Sequence, residues 1–242
     1  MLKEFVGSSH TRFARFLMLA TAIAFSHPGD ARAALAHDHG GWLMLLAQGD
    51  FGAASSNLVW WLDVHGRFSD DAGGYGQSIV RPAIGWRFND SVTAHVGYGW
   101  IRDSPAVGGD TDEHRLFQLL IWKRGLGPVA FQSRSRLEQR WLDTGDDVGW
   151  RIRQFFKLTW PVPGMKRLAL ASYDEIFFGL NDTDWAATSG FDENRLFVGP
   201  QWRFDSEGRI RGEVGYLNRY VRREGRNDRM DHLVSVNPFT SF

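Results

Sequence analysis

The strongest constraint on this chain is a hydrophobic period of two. From Asn57 onward, apolar and polar side chains alternate through segments of about ten to fifteen residues. Leu58, Trp60, Leu62 and Val64 are interleaved with Trp61, Asp63, His65 and Arg67. Val80, Pro82, Ile84, Trp86 and Phe88 are interleaved with Arg81, Ala83, Gly85 and Arg87, and Asn89-Asp90 then signals a turn. Val92, Ala94, Val96, Tyr98 and Trp100 continue the scheme against Thr93, His95, Gly97 and Gly99. Side chains two apart share one face of a strand, so each segment is a strand with two unlike faces.

The middle of the chain is the sharpest case. Gln132, Arg134, Arg136, Glu138 and Arg140 occupy one face; Val129, Phe131, Leu137 and Trp141 occupy the other. The next segment sets Trp150, Ile152, Phe156, Leu158 and Trp160 against Arg151, Arg153, Phe155 and Lys157. Further strands fall at 167–178, 193–204, 209–220 and 229–242. The strand at 114–123 is apolar on both faces, through Leu116, Phe117, Leu119, Leu120 and Ile121. Short connections lie near 89–90, 124–127, 161–166 and 205–208. Longer polar ones lie near 69–77, 102–112, 142–148, 180–192 and 221–228.

Short turns on one side and long loops on the other are the pattern of an outer-membrane barrel. The expected fold is all-β: one antiparallel transmembrane β-barrel of 10–12 strands, with short periplasmic turns and longer extracellular loops. The barrel occupies 57–242 and holds ten strands. Residues 34–56 form an N-terminal segment in which 42–48 offers an eleventh. Bacterial barrels favour even numbers. The expectation is therefore that 42–48 is not a full wall strand, or that another strand hides in 180–192.

The start of the chain reads as an export signal. Lys3, Arg12 and Arg15 precede the apolar run Phe16–Phe25, which Pro28 and Gly29 break. That run is too short to span a bilayer as a helix. Small residues at Ala31 and Ala33, or at Ala34 and Ala36, suit a signal peptidase. Residues 1–33 are read as a cleaved signal peptide, which places the protein beyond the inner membrane.

A soluble barrel turns its apolar face inward. A membrane barrel inverts this, with the apolar face on lipid and the charged face in the lumen. Two features favour inversion. Trp86, Tyr98, Trp100, Trp141, Trp150, Trp160 and Trp202 fall near strand ends, where membrane barrels carry aromatic girdles. The chain also has 24 Arg against 4 Lys. Arg carries a rigid five-donor fork suited to buried networks with carboxylates.

The strand texts Arg134-Ser-Arg136-Leu-Glu138-Gln-Arg140, Trp150-Arg-Ile-Arg153, Tyr173-Asp-Glu175, Glu193-Asn194-Arg195 and Gly215-Tyr216-Leu217-Asn218 resemble an uncharacterised Gram-negative outer-membrane family, domain of unknown function 2490. The resemblance runs from about Trp42 to the C-terminus. It implies a barrel in the outer membrane of a Gram-negative bacterium, and no catalytic residues. The terminal Phe242 resembles the signal that such barrels present to their assembly machinery. The expected partners are that machinery and outer-membrane lipids. The balance of 28 basic and 28 acidic residues gives no reason to expect nucleic acid.

With this parity the lumen receives Asp63, Arg67, Arg81, Arg87, Arg134, Arg136, Glu138, Arg140, Arg151, Arg153, Lys157, Glu175, Glu193, Arg195, Arg203, Arg211 and Glu213. A barrel this narrow lets long charged side chains from opposite walls meet. The first reading is a non-enzymatic envelope protein with a charged, largely plugged lumen. The alternative is a narrow channel or site for small anions, since the set holds 12 cations and 5 anions. A rim hydrolase using Tyr173, Asp174 and Glu175, or His232 with Ser235, is the third. Asp174-Glu175 and His232/Ser235 face opposite ways on a strand, so neither makes an acid–base or nucleophile pair.

No cofactor is expected. There is no cysteine, which removes disulfides, thiolate metal sites and cysteine nucleophiles. Asp70-Asp71, Asp146-Asp147 and the His37-Asp38-His39 tail are the weak metal candidates, and no metal site is expected from them. Gly73-Gly74-Tyr75-Gly76 joins no strand to a helix, so it is no phosphate loop.

Overall fold

A computed structural model describes residues 35–52, 57–71 and 73–242. The expected signal peptide, 1–33, lies outside the described residues. The strands are β1 (Ala36–Asp50), β2 (Leu58–Ser69), β3 (Gly74–Arg87), β4 (Val92–Asp103), β5 (Thr111–Leu126), β6 (Val129–Leu142), β7 (Gly149–Pro161), β8 (Leu168–Gly179), β9 (Gly190–Arg203), β10 (Ile210–Val221) and β11 (Arg229–Ser241). Each pairs with its sequence neighbour, and β1 with β11 closes the barrel.

Local chemistry sets the turns. The Asn89 side-chain carbonyl accepts the N–H groups of Ser91 and Val92, at 2.9 and 3.0 Å, and reverses the chain between β3 and β4. Gly127, at φ +62°, supplies the left-handed residue of the tight β5–β6 hairpin. The Asp205 carboxylate accepts the N–H groups of Arg209 and Ile210 between β9 and β10. These turns and 162–167 lie at one end, here called the lower. Connections 104–110, 143–148, 180–189 and 222–228 lie at the upper end.

Two expectations are corrected. Residues 42–48 do not fall short of a wall strand, and 180–192 hides none. The segment belongs to the full strand β1, and β9 begins only at Gly190. Eleven strands close because β1 and β11 run parallel, from Ala36↔Arg229 to Gln48↔Ser241. A parallel ladder removes both sheet edges as an antiparallel one would, and barrels with an odd strand number do occur. The long loop expected at 69–77 is also shorter. Arg67 still pairs with Gln77, and Phe68 pairs with Tyr75 across a bulge.

Parity follows the sequence. Inward positions of β2, Val59 to Arg67, are buried at every second residue. Outward positions carry exposed apolar groups, among them Leu43, Ile84, Val96, Leu120, Ile152 and Val198. The interior is not purely charged. Trp61, Ala83, Phe117, Leu119 and Ile121 form one luminal cluster, joined by Leu46. Ala171, Phe197, Leu217 and Leu233 form another, joined by Trp42 and Tyr173. Inward Gly97 makes room for the first: a Cβ there would lie 2.4 Å from the Phe117 ring. The two-sided apolar text of β5 is thus one core face and one outer face.

Outward aromatics gather near both ends. Trp86, Trp122 and Trp202 are exposed toward the lower end, where Trp60 also stacks on Phe242 at 5.8 Å. Trp141 and Trp150 are exposed toward the upper end.

Candidate functional site

The lumen is crossed by a chain of alternating charges. Glu138, on β6, has no exposed surface. Its Oε2 accepts Arg151 Nη2 at 2.7 Å, and its Oε1 accepts Arg153 Nη1 at 2.8 Å. Arg153 also donates through Nη2 to Glu175 on β8 at 2.8 Å. Arg134 reaches the same Glu175 oxygen at 3.2 Å. Arg195 donates to Glu193, its neighbour on β9, and Arg219 Nη2 reaches Glu193 at 2.8 Å. Arg219 Nη1 continues to Asp231 on β11 at 2.9 Å, and Arg229 joins Asp231 to Asp71. Across the lumen, Arg81 Nε donates to Asp63 at 2.7 Å.

Inward parity on neighbouring strands places these side chains at one depth, and the register does the rest: Glu138 lies opposite Arg151, and Glu175 opposite Arg195. Luminal aromatics pack against the guanidinium planes. Arg153 and Arg195 lie over Phe177, at 4.5 and 4.4 Å from the ring centroid, and Arg67 lies over Trp42 at 3.7 Å. Arg136 differs. It is buried and stacks on Phe117, but its three nitrogens make no hydrogen bond among the described residues, and Glu138 lies 3.7 Å away.

Two cavities flank this layer. The lower measures about 560 Å³ and the upper about 360 Å³. Arg67, Arg81, Arg153 and Arg195 line both and so form the partition. Over the upper cavity lies the 180–189 loop. The Asp184 carboxylate accepts the N–H groups of Asp146 and Asp147, and the Trp185 indole N–H donates to the Asp147 carbonyl at 2.8 Å. Trp185 lies above Gly149, where a Cβ would come within 2.6 Å of its ring, and Arg140 stacks beneath it.

The expected lumen residues divide by depth. Arg134, Glu138, Arg151, Arg153, Glu175 and Arg195 join the central network. Arg140 bonds to Glu113 and lines the upper cavity. Lys157, Arg211 and Glu213 line the lower one, with Lys157 on Glu213. Arg203 lies apart, at the end of β9, bonded to the Lys166 carbonyl. Sequence reasoning passed over Glu113, Arg115, Arg219, Asp231 and Arg229. The signal was present: Glu113 and Arg115 continue the inward row of Phe117, and Arg219 that of Leu217.

The weaker candidates take ordinary places. His232 faces outward and stacks on His37, while Ser235 faces inward and donates to Asn237. Asp174 faces outward and accepts Asn194, while Glu175 belongs to the network at mid-strand, away from either rim. Asp38 is buried while His37 and His39 are exposed, so the tail does not converge as a chelate. Among the described residues no group of three or more His, Cys, Asp or Glu is arranged to hold a metal ion.

A family model described as protein of unknown function, DUF2490, matches residues 39–231. An uncharacterized protein of Methylorubrum extorquens is 32% identical over 235 residues, covering 96% of this chain and 99% of that protein. No solved structure matches the chain.

Proposed function

The chain belongs to the DUF2490 family of proteins of unknown function, and we propose that it is a non-enzymatic outer-membrane barrel closed by an ion-pair plug. The observation that carries this reading is the partition: Arg67, Arg81, Arg153 and Arg195 line both cavities. Arg81 and Arg153 are bound to the buried carboxylates of Asp63, Glu138 and Glu175. Removing one partner of such a buried pair typically costs about 3–5 kcal/mol, so the closed layer is expected to be the dominant state of the lumen.

The outer face supports the membrane setting. Strands of 12 to 16 residues exceed the roughly 9–11 that a tilted membrane strand needs. The outward surface is mainly apolar, with Trp near both ends, as a lipid-facing wall requires. In this setting the first 33 residues are an export signal and lipids are the lateral partners. Phe242, exposed at the lower end, is the group offered to the assembly machinery.

The reading is tested by fractionation and by migration on denaturing gels with and without boiling, followed by conductance across a planar bilayer. A membrane barrel with a plug stays with the outer membrane, migrates faster unboiled, and conducts nothing. The second reading, a narrow anion channel, is favoured by the cationic character of that partition. Steady anion-selective current through the unaltered protein would replace the plug with that channel. Recovery in the soluble fraction would overturn the membrane setting.

A further inference from the structure

The lower cavity has a wall chemistry that the plug does not need. One side is apolar: Leu46, Trp61 and Ile121 line it from the first luminal cluster, with Phe155 and Phe239 from β7 and β11. The mouth is cationic through Lys123, Arg124 and Arg211. None of these three lies within ion-pair distance of a carboxylate among the described residues, whereas Arg134, Arg153 and Arg195 of the central network each pair with one. The charges nearest in effect to Lys123 are themselves cations, Arg211 and Arg87. Arg211 is partly buried, and its Nε, itself fully buried, finds no hydrogen-bond partner. Of the acids lining this chamber, Glu213 binds Lys157 and Gln201 through Oε1, Glu175 and Asp63 belong to the partition, and Asp90 is exposed on the β3–β4 turn, outside ion-pair distance of the three cations.

Like charges facing one another across a mouth, with a buried donor left over, are stabilised by an anion. A cavity of about 560 Å³ is of the size that holds a small organic ligand. The apolar wall behind the cations favours a ligand with an apolar body over a bare ion. We propose that the lower chamber binds an amphipathic organic anion, a phosphate or carboxylate on an apolar body, with Lys123 and Arg211 holding the anionic group.

The site is independent of the plug's impermeability and of the membrane setting. The test is therefore calorimetric titration of the full chain in zwitterionic nanodiscs, or in plain buffer if the protein fractionates as soluble. The probes are hexyl phosphate, inorganic phosphate and hexanol, with empty nanodiscs as the blank. Hexyl phosphate is expected to saturate one site and to bind at least about tenfold more tightly than either other probe, since each carries only half of the recognised chemistry. Lys123→Ala and Arg211→Ala should each weaken it by about tenfold or more, the worth of one charge-assisted contact. Neither side chain belongs to the ion-pair chain, so both variants should keep the wild-type shift between boiled and unboiled migration. Absence of saturable binding would overturn the proposal. Hexyl phosphate binding unchanged in both variants, or matched by hexanol, would overturn it equally.

Discussion

Arg153 reaches two carboxylates from two different strands, Glu138 at 2.8 Å and Glu175 at 2.8 Å, and so ties β6 to β8 across β7. Glu138 is the harder of these partners to replace. It has no exposed surface and holds both Arg151 and Arg153. Glu138→Gln removes the charge and leaves two guanidiniums facing each other in the interior. The expected loss is about 3–5 kcal/mol of stability, from uncompensated buried charge. Urea titration of the folded protein reads it. Arg203→Ala, which touches only the Lys166 carbonyl near the lower rim, should leave the same midpoint unchanged. Equal midpoints for the two variants would show that the network contributes nothing to the fold.

The parallel seam between β1 and β11 has a direct chemical test. Leu43 lies opposite Val236, and both point outward. Partners across a ladder stand near the Cα separation that a disulfide spans. The chain has no cysteine of its own, so a designed pair is unambiguous. Leu43→Cys with Val236→Cys should oxidise within one chain and close a ring of nearly the whole barrel. The product should migrate anomalously after boiling until reductant is added. A barrel closed without β1 would leave these thiols apart, and no such band would form.

Asp184 sets an acid limit on the upper lid. The N–H groups of Asp146 and then Asp147 hold its carboxyl below the usual carboxylate range. Because the folded value is lowered, this contribution is complete above the ordinary pKa, about 4, and is lost as pH falls through the folded one. The amides of Asp146 and Asp147 should therefore exchange slowly at neutral pH and lose protection under acid. Trp185 emission should shift as its indole leaves the Asp147 carbonyl. Asp184→Ala should show the acid behaviour already at pH 7. Protection that is insensitive to both changes would mean that the lid is held without the Asp184 carboxylate, by Trp185, Asn181 and the Asp147 carboxylate.

The wall was legible because parity is a local property. All ten strands from Asn57 onward, and the inward facing of Arg134 through Arg140, follow from residues two apart. Closure was not legible in the same way. The pairing of Ala36 with Arg229 joins segments nearly two hundred positions apart, and nothing local in 36–50 announces a parallel neighbour. The ion pairs were half legible. Parity names Glu138 and Arg153 as inward, but only register brings Arg153 within reach of Glu175 rather than of another acid. Phe117 and Leu119 were ambiguous because a strand apolar on both faces carries no sign of which face is the lumen. That sign came from Gly97 on the neighbouring strand, which leaves the space Phe117 fills.

The fit of Phe117 against Gly97 is itself a prediction about how the lumen is packed. Phe117 is fully buried, and its ring occupies the space that a Cβ on Gly97 would need, 2.4 Å away. Phe117→Ala should cost about 3–5 kcal/mol, the range for emptying a buried aromatic position. Gly97→Ala should also destabilise, because its methyl meets the ring. If the ring were the sole obstacle, the double variant would recover what Gly97→Ala lost. It is not the sole obstacle: the same Cβ would lie 2.6 Å from the Pro82 carbonyl oxygen and 2.6 Å from the Ala83 methyl. The carbonyl is part of the β3 backbone and cannot rotate away as a side chain does. The expected double variant is therefore less stable than Phe117→Ala alone, with only part of the Gly97→Ala loss recovered. Urea midpoints for the four proteins complete the cycle. Full recovery in the double variant would place the whole constraint in the aromatic side chain and none in the close approach of β3 to β4.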